Sequence, residues 1–262
     1  MTTSTAPASL AEAGFVTLTG PYASTDEAFA AAATAVHAAF DEPAQAQLEV
    51  IGDFTIPPRD GPPGRDFQTL HLDFGLPVDP VGPGPVARCT ALFAPFGGPG
   101  GAAATRLVPL APLLAQRSWP EPAELLRRLI AYGETHGGRD EARGYVEGSF
   151  ARLVEAADGA LPRLPSIRTN PEFLCGEEFG DLDSELTFLA ALGLSVEAVE
   201  RLVRLAPGEV LLFDNLTLAH GRAGRRRPGE LRQRVFGYRD LGVAGQKQIR
   251  DRVLGLFAGG PD

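Results

Sequence analysis

The stretch TLHLDFGLP, residues 69–77, combines the apolar pattern of a buried β-strand with two polar side chains. Leucine or phenylalanine recurs at every second position, which predicts a strand whose apolar residues share one face. They are Leu70, Leu72, Phe74 and Leu76. His71 and Asp73 lie between them, and side chains two residues apart in a strand point to the same side. The stretch therefore predicts an imidazole and a carboxylate that converge on one point.

The other predicted strands lie on either side of a long, mainly helical segment. Strand patterns cover 14–20, 87–96, 209–215 and 231–241. Helix patterns cover 24–40, 118–137, 139–158 and a short segment that begins at Ser195, and the Pro- and Gly-rich residues 52–66 predict a loop. This order is not the alternating βαβ pattern of a parallel sheet. It favours a mainly β sandwich or jelly roll, with flanking helices and a helical insert between its two halves. We expect a flexible tail over residues 1–13 and a single domain over residues 14–262.

Composition excludes several functional classes. The formal net charge of −9 and the pI near 5.0 argue against nucleic-acid binding, which needs a basic surface. We find neither an apolar run long enough to span a membrane nor a secretory signal. Two cysteines, Cys89 and Cys175, could pair but do not make a disulfide framework, so a cytoplasmic setting is expected. Lys247 is the only lysine among 24 basic residues, so arginine clusters carry little information in this chain.

A second histidine follows an apolar strand in PGEVLLFDNLTLAHGR, residues 207–222. A histidine at such a strand end, His220, can reach a neighbouring strand. Taken singly, His71 and His220 are each compatible with a hydrogen-bonded structural role. The other two histidines fit such a role better, because His37 lies in an alanine-rich helix and His136 at a predicted helix C-terminus.

Two arginines lie in a strand pattern after His220. Arg232 and Arg234 share one face of the stretch ELRQRVFGY, so both could point into the sandwich, where a guanidinium would pair with a carboxylate. Exposed arginines in an arginine-biased chain are the alternative. Together, His71, Asp73 and His220 match the two-histidine, one-carboxylate triad that holds non-haem Fe(II) with open positions. An arginine 12 residues beyond His220 (232 − 220) would bind the far carboxylate of an oxo-acid cosubstrate.

In these motifs the sequence resembles the Fe(II)/2-oxoglutarate-dependent oxygenases of the clavaminate synthase-like and taurine dioxygenase branch. The family pattern is His-x-Asp/Glu, a long insert, a second His, and an Arg about 11 to 14 residues later. Residues 207–222 resemble its "PGD…DN…HGR" segment, and GGPGGAAATRLVPL, residues 97–110, resembles its "GG…T" segment. The resemblance covers roughly residues 67–110 and 165–240.

The resemblance implies a double-stranded β-helix that binds Fe(II) through His71, Asp73 and His220. It also implies that Thr105 and Arg232 bind 2-oxoglutarate, with Arg234 as the alternative to Arg232. The implied reaction uses O2, oxidises an unactivated C–H bond and releases succinate and CO2. Because loops on a rigid scaffold carry specificity, residues 52–66 and 111–205 are the expected lid and substrate walls.

The implied substrate is a small polar molecule, such as an amino acid or a derivative in natural product biosynthesis. Arg168 and Arg234 are candidates to bind a substrate carboxylate. Hydroxylation is the expected outcome, with desaturation or cyclisation as alternatives. Two other readings stay open: a jelly roll that binds zinc for non-redox chemistry, and a non-catalytic small-molecule binding protein. The sequence does not indicate an oligomeric state.

Overall fold

The computed structural model of the chain describes residues 10–40, 47–55, 67–73, 76–77, 85–95, 103–136, 145–146, 150–159, 179, 181–224 and 231–259. The strands within these residues are β1 (Phe15–Thr19), β2 (Glu49–Thr55), β3 (Phe67–His71), β4 (Leu76–Pro77), β5 (Val86–Phe93), β6 (Ala104–Pro109), β7 (Tyr145–Val146), β8 (Arg201–Val203), β9 (Glu209–Asp214), β10 (Leu218–Ala223) and β11 (Arg232–Tyr238). The helices are α1 (Leu10–Ala13), α2 (Thr25–Ala39), α3 (Leu110–Leu114), α4 (Pro122–His136), α5 (Phe150–Asp158), α6 (Leu182–Ala191) and α7 (Gly242–Leu256).

The strands form two main sheets and one short pair. The larger sheet has the order β1-β9-β5-β11-β2, and the smaller has the order β3-β10-β6-β8. Strands β4 and β7 pair separately. Every strand pairing within the described residues is antiparallel, so the protein is built mainly from antiparallel sheets with helices.

An apolar cluster joins the two main sheets face to face. Leu107 and Leu218 come from the smaller sheet, and the other members come from the larger sheet or its ends: Leu92, Ala94, Leu211, Phe213 and Leu231. The opposite face of the larger sheet packs against α2, where the ring centroids of Phe29 and Phe93 lie 6.2 Å apart. Successive residues of a strand therefore face either the space between the sheets or a helix.

Several predicted elements are confirmed by the structure. Helix α2 lies within the predicted range 24–40, and the Oγ atom of Ser24 accepts a hydrogen bond from the backbone N–H of Glu27 at 3.2 Å. This N-terminal cap satisfies a backbone donor that the helix itself leaves open. The strands predicted over 14–20, 87–96, 209–215 and 231–241 correspond to β1, β5, β9 and β11.

Other predicted elements differ from the structure. Strand β2 includes residues 52–55, which were predicted as part of a loop, because they pair with β11. Residues 145–146 form a strand rather than part of a helix over 139–158, and Phe150–Asp158 is the helical part of that range among the described residues. The segment after Ser195 is not a helix but continues into β8, which pairs with β6. The loop prediction for 56–66 lies outside the described residues.

Both ends of the described chain are more ordered than the sequence predicts. Residues 10–13, assigned to the flexible tail, form helix α1, and Leu10 is buried in the core. At the other end, where no helix or strand is predicted after residue 241, the chain forms α7, because Ile249, Val253 and Leu256 recur at helical spacing and are buried. No helix among the described residues is long and apolar enough to cross a membrane.

Candidate metal centre

Three buried side chains meet at the edge of the smaller sheet. Each of His71, Asp73 and His220 offers one ligand atom, and these atoms all lie within 4.8 Å of one another. The Nε2 atom of His71 is 4.0 Å from Oδ1 of Asp73, and Nε2 of His220 is 3.7 Å from Oδ2 of Asp73. The two imidazole ring centroids are 4.1 Å apart. The structure thus brings together the three residues that the sequence predicts as metal ligands.

Strand pairing places the two histidines side by side. His220 of β10 is directly opposite His71 of β3, and residues opposite each other in a sheet project to the same face. The pairing is irregular just beyond this point, because the next matched pair is Arg222 with Gln68. Gly221 lies in this irregular stretch, where a Cβ atom would be 2.5 Å from the carbonyl oxygen of Gln68. Glycine therefore allows β3 to approach β10 closely beside the histidines.

Asp73 is held in a turn rather than in the strand that its spacing predicts. Strand β3 ends at His71, and the side chain of Asn215 binds the backbone of Asp73 from both sides. The N–H of Asp73 donates to Oδ1 of Asn215 at 2.8 Å, and its carbonyl accepts from Nδ2 of Asn215 at 2.9 Å. These two bonds satisfy the backbone groups of Asp73 that would otherwise pair with a neighbouring strand, which explains why β3 ends before Asp73.

The carboxylate of Asp73 is oriented by two donors on one oxygen. Oδ2 accepts from the hydroxyl of Thr90 at 2.5 Å and from Nε2 of Gln233 at 3.1 Å, while Oδ1 faces His71. Burial raises the pKa of Asp73, and the nearby His71 and these two hydrogen bonds oppose the rise. A bound cation would favour the charged carboxylate further.

The rings of the two histidines are also fixed. Nδ1 of His71 lies 2.9 Å from the carbonyl oxygen of Thr69, and a carbonyl can only accept, so Nδ1 carries the proton of this hydrogen bond. The lone pair of the neutral ring is then on Nε2, which faces the centre of the group. His220 packs against Phe213 of the facing sheet, with ring centroids 4.6 Å apart. Two imidazole nitrogens and one carboxylate oxygen, all buried, suit a divalent transition metal such as Fe(II) or Zn(II).

Thr105 lies on the same face of the smaller sheet as this group. Leu107 is opposite His220, and Thr105 is two residues away along β6, so both residues project to the side of His220. Thr105 is directly opposite Arg222, and both side chains are buried, with 6% and 8% of their surface exposed. Arg222 donates from Nη2 to the carbonyl oxygen of Phe67 at 3.3 Å.

The predicted inward direction of Arg232 and Arg234 is wrong in this structure. Gln233 contacts Asp73, so its neighbours in β11 project to the opposite face. The guanidinium of Arg234 binds Asp53 at 2.6 Å and lies over the ring of Phe29 in α2, 4.4 Å from its centroid. Arg232 is opposite Phe93, which packs on the same helix. Residues 232–234 are all polar, so the sequence alone does not show which of their side chains points between the sheets. Leu231 is buried between the sheets, and this fixes which face of β11 points inward.

Four residues of this region escaped the sequence interpretation: Thr90, Asn215, Arg222 and Gln233. Asn215 and Arg222 lie within the quoted stretch 207–222, so their closeness in sequence to His220 could have marked them as site residues. Thr90 and Gln233 carry no such signal, because only the pairing of β5 and β11 brings them to Asp73. Arg168, the other predicted substrate contact, lies outside the described residues.

The chain is similar in structure to several solved proteins at low sequence identity. No protein-family model matches the chain, and no curated protein does. The PvcB protein from Pseudomonas aeruginosa is 18% identical over 85% of this chain and 75% of that chain, with a TM-score of 0.40. PvcB is described as an Fe, alpha-ketoglutarate dependent oxygenase from an isonitrile synthetic pathway. Asparagine oxygenase is 16% identical over 87% of this chain and 74% of that chain, with a TM-score of 0.40. The non-heme iron oxygenase OrfP is 16% identical over 89% of this chain and 81% of that chain, with a TM-score of 0.37.

Proposed function

We propose that this protein is a non-haem Fe(II)- and 2-oxoglutarate-dependent oxygenase built on a jelly roll, the double-stranded β-helix. The observation that carries the proposal is the buried group of His71, Asp73 and His220, whose ligand atoms lie within 4.8 Å of one another. Such a donor set binds one face of a metal ion and leaves other positions for a cosubstrate and O2. The order and spacing of the three residues in the sequence support the same assignment.

The residues fit a divalent iron ion chemically. His71 and His220 would each supply an imidazole nitrogen, and Asp73 would supply a carboxylate oxygen. Thr90 and Gln233 hold that carboxylate through its other oxygen, and the carbonyl of Thr69 fixes the His71 ring. Partners of this kind orient metal ligands and raise metal affinity. When bound, iron and 2-oxoglutarate together supply the oxidation of an unactivated C–H bond by O2, with conversion of 2-oxoglutarate to succinate and CO2.

The cosubstrate pocket that we propose extends from His220 along β10 and β6. Thr105 and Arg222 are opposite each other on the face of the smaller sheet that carries His220. Arg222 is two residues beyond His220, about 7 Å along the strand, a separation that a five-carbon diacid can span. The Thr105 hydroxyl and the Arg222 guanidinium would bind the far carboxylate, since a charged hydrogen bond to a guanidinium is strong and directional. Arg222 thereby takes the role that the sequence assigned to Arg232 or Arg234.

Apolar side chains would limit water at this site. Phe213 packs against His220, and Leu107 is opposite it. Exclusion of water protects a reactive centre from side reactions and positions the substrate. We infer that the substrate is a small polar molecule, such as an amino acid or a derivative, and that hydroxylation is the reaction outcome. The placement of Arg234 against Asp53 offers no support for its role as a substrate contact.

One anaerobic titration tests the proposal. Fe(II) and 2-oxoglutarate are added to the metal-free protein without oxygen, and the visible charge-transfer absorption of the chelate is recorded. We expect the band to appear in the parent protein and to be absent in His220→Ala. A correctly folded parent protein that binds metal without this band would favour non-redox metal chemistry and overturn the proposal. A correctly folded parent that binds no metal would instead favour a non-catalytic binding protein.

A further inference from the structure

A buried ionic cluster lies behind the metal centre, on the opposite face of the smaller sheet. Arg106 of β6 alternates with Thr105 and Leu107, so its side chain projects away from the histidines. Nη1 of Arg106 binds Oε2 of Glu185 in α6, and both side chains are fully buried. Nε of Arg106 binds Oε1 of Glu200 at 2.6 Å. Helix α6 is thereby attached to the back of the strand that carries Thr105.

The same carboxylate also holds the strand that carries His71. Oε1 of Glu185 accepts a hydrogen bond from the backbone N–H of Leu70 at 2.6 Å, and Leu70 immediately precedes His71. Among the described residues, β3 pairs in this sheet with β10 alone, so this bond gives β3 a second attachment. Arg106, at the other end of the ion pair, is directly opposite Gly221, which follows His220. Glu185 therefore connects the two strands on either side of β10, next to both histidines.

The contact between Glu185 and Leu70 lies where the pairing of β3 with β10 is irregular. The register between β3 and β10 is irregular between the pair His220–His71 and the pair Arg222–Gln68. Regular ladder hydrogen bonds therefore do not fix the backbone immediately before His71. The bond from Leu70 to Glu185 lies within this irregular stretch. The position of His71 relative to His220 thus depends on a contact with α6 as well as on the sheet.

The buried ionic cluster costs free energy of folding, because its charged groups are removed from water. Burial raises the pKa of Glu185, against the opposing influence of Arg106 and of the Leu70 N–H. Among the described residues, Nη2 of Arg106 is buried with no hydrogen-bond partner. Apolar residues of similar volume often replace such buried pairs with no loss of stability. A role in geometry, rather than in stability alone, accounts for its presence beside the metal ligands.

We propose that Glu185 and Arg106 are positioning residues that hold β3 against β10 and so set the spacing of His71 and His220 for metal binding. This inference rests on the proposed metal-binding role of the triad. It assigns a function to α6, which otherwise lies outside the site.

The test replaces the ion pair by apolar residues and measures metal binding separately from stability. The double variant Arg106→Met/Glu185→Leu is compared with the parent by thermal unfolding without metal and by titration with Co(II), whose d–d absorption reports ligand geometry. We expect a lower unfolding temperature, because the Leu70 N–H and Glu200 lose their partners. At a temperature where the variant is still fully folded, we expect Co(II) binding weakened roughly 10- to 100-fold and an altered spectrum. The matched control is Arg117→Met/Asp158→Leu, which removes a partly exposed ion pair elsewhere and should leave Co(II) binding unchanged.

A second variant covers the case in which the double variant does not fold. Glu185→Gln keeps an acceptor for the Leu70 N–H but removes the charge that binds Arg106, so Co(II) affinity should fall by a smaller factor. Parent-like Co(II) affinity and spectrum in the folded variants would overturn the positioning role and leave the proposed function intact. Failure of the parent protein to bind Co(II) would overturn both.

Discussion

Gly221 and Gln68 are in contact through backbone alone: a Cβ atom at position 221 would lie 2.5 Å from the carbonyl oxygen of Gln68 and 3.2 Å from that of Thr69. No real Cβ contact is that short, and the obstacles are backbone atoms that cannot rotate away. The contact lies one residue from His220 and within three residues of His71. The absence of a side chain at position 221 is therefore a condition for bringing the two histidines together.

Gly221→Ala is expected to separate β3 from β10. Because the added methyl group meets backbone, we expect a loss of about 1–3 kcal/mol in the free energy of unfolding. The separation should also weaken Co(II) binding, since His71 moves away from His220. Urea unfolding and Co(II) titration measure the two effects. Gly255→Ala is the matched control, because its Cβ would meet nothing within 4 Å and an alanine in helix α7 should stabilise the protein slightly. Unchanged metal binding in Gly221→Ala would contradict this account.

Thr90→Val should weaken metal binding without disrupting the fold. The substitution keeps the shape of the side chain and removes the hydroxyl that donates to Oδ2 of Asp73 at 2.5 Å. With only Gln233 left to orient the carboxylate, we expect about tenfold weaker Co(II) binding. Thr90→Ser keeps the hydroxyl and should restore most of the affinity, whereas a Ser variant as weak as the Val variant would show that packing, not the hydrogen bond, is responsible.

Asn215→Ala is expected to release the backbone of Asp73. The N–H and the carbonyl of Asp73 would each lose a buried partner, which costs about 1–3 kcal/mol per group. Gln116→Ala is the matched control: Gln116 binds the N–H and the carbonyl of Ser195 in the same two-sided manner, but these bonds are exposed to solvent. We expect a large drop in unfolding free energy and in Co(II) affinity for Asn215→Ala, and little change in either quantity for Gln116→Ala. Equal effects in the two variants would mean that the contact near Asp73 has no special role.

The sequence predicts the metal ligands better than it predicts their surroundings. His71, Asp73 and His220 are identified by residue type, order and spacing, and the structure brings them together. Their grouping depends on the pairing of β3 with β10. The sequence did not predict strand β10, because His220 was expected at the end of the strand over 209–215. The turn at Asp73 was not predicted, because the Asn215 side chain that binds its backbone is 142 residues away along the chain.

The face of β11 shows the limit of pattern reasoning. Residues 232–234 are all polar, so alternation alone cannot tell which of them points between the sheets. The answer comes from Leu231, which packs among apolar residues of both sheets and fixes the phase of the strand. Gln233 therefore points inward, while Arg234 meets Asp53 and the ring of Phe29. A one-residue change of phase exchanges the two faces of a strand, and with them the predicted cosubstrate contact.

Substitutions at three arginines separate the remaining possibilities for the residue that binds 2-oxoglutarate. Arg222→Met removes the guanidinium opposite Thr105, and loss of a charged hydrogen bond worth about 1.5–3 kcal/mol should weaken 2-oxoglutarate binding by roughly 10- to 100-fold. Arg232→Met and Arg234→Met alter the face of β11 that packs on α2, so 2-oxoglutarate binding should stay near the parent value. The measurement is anaerobic titration of the Fe(II)-loaded protein with 2-oxoglutarate, read from the charge-transfer band. Arg222→Lys keeps the charge but not the paired donors, and should bind with intermediate affinity. If Arg232→Met weakens binding more than Arg222→Met does, the anion is bound from β11 and the strand phase in solution differs from the one described.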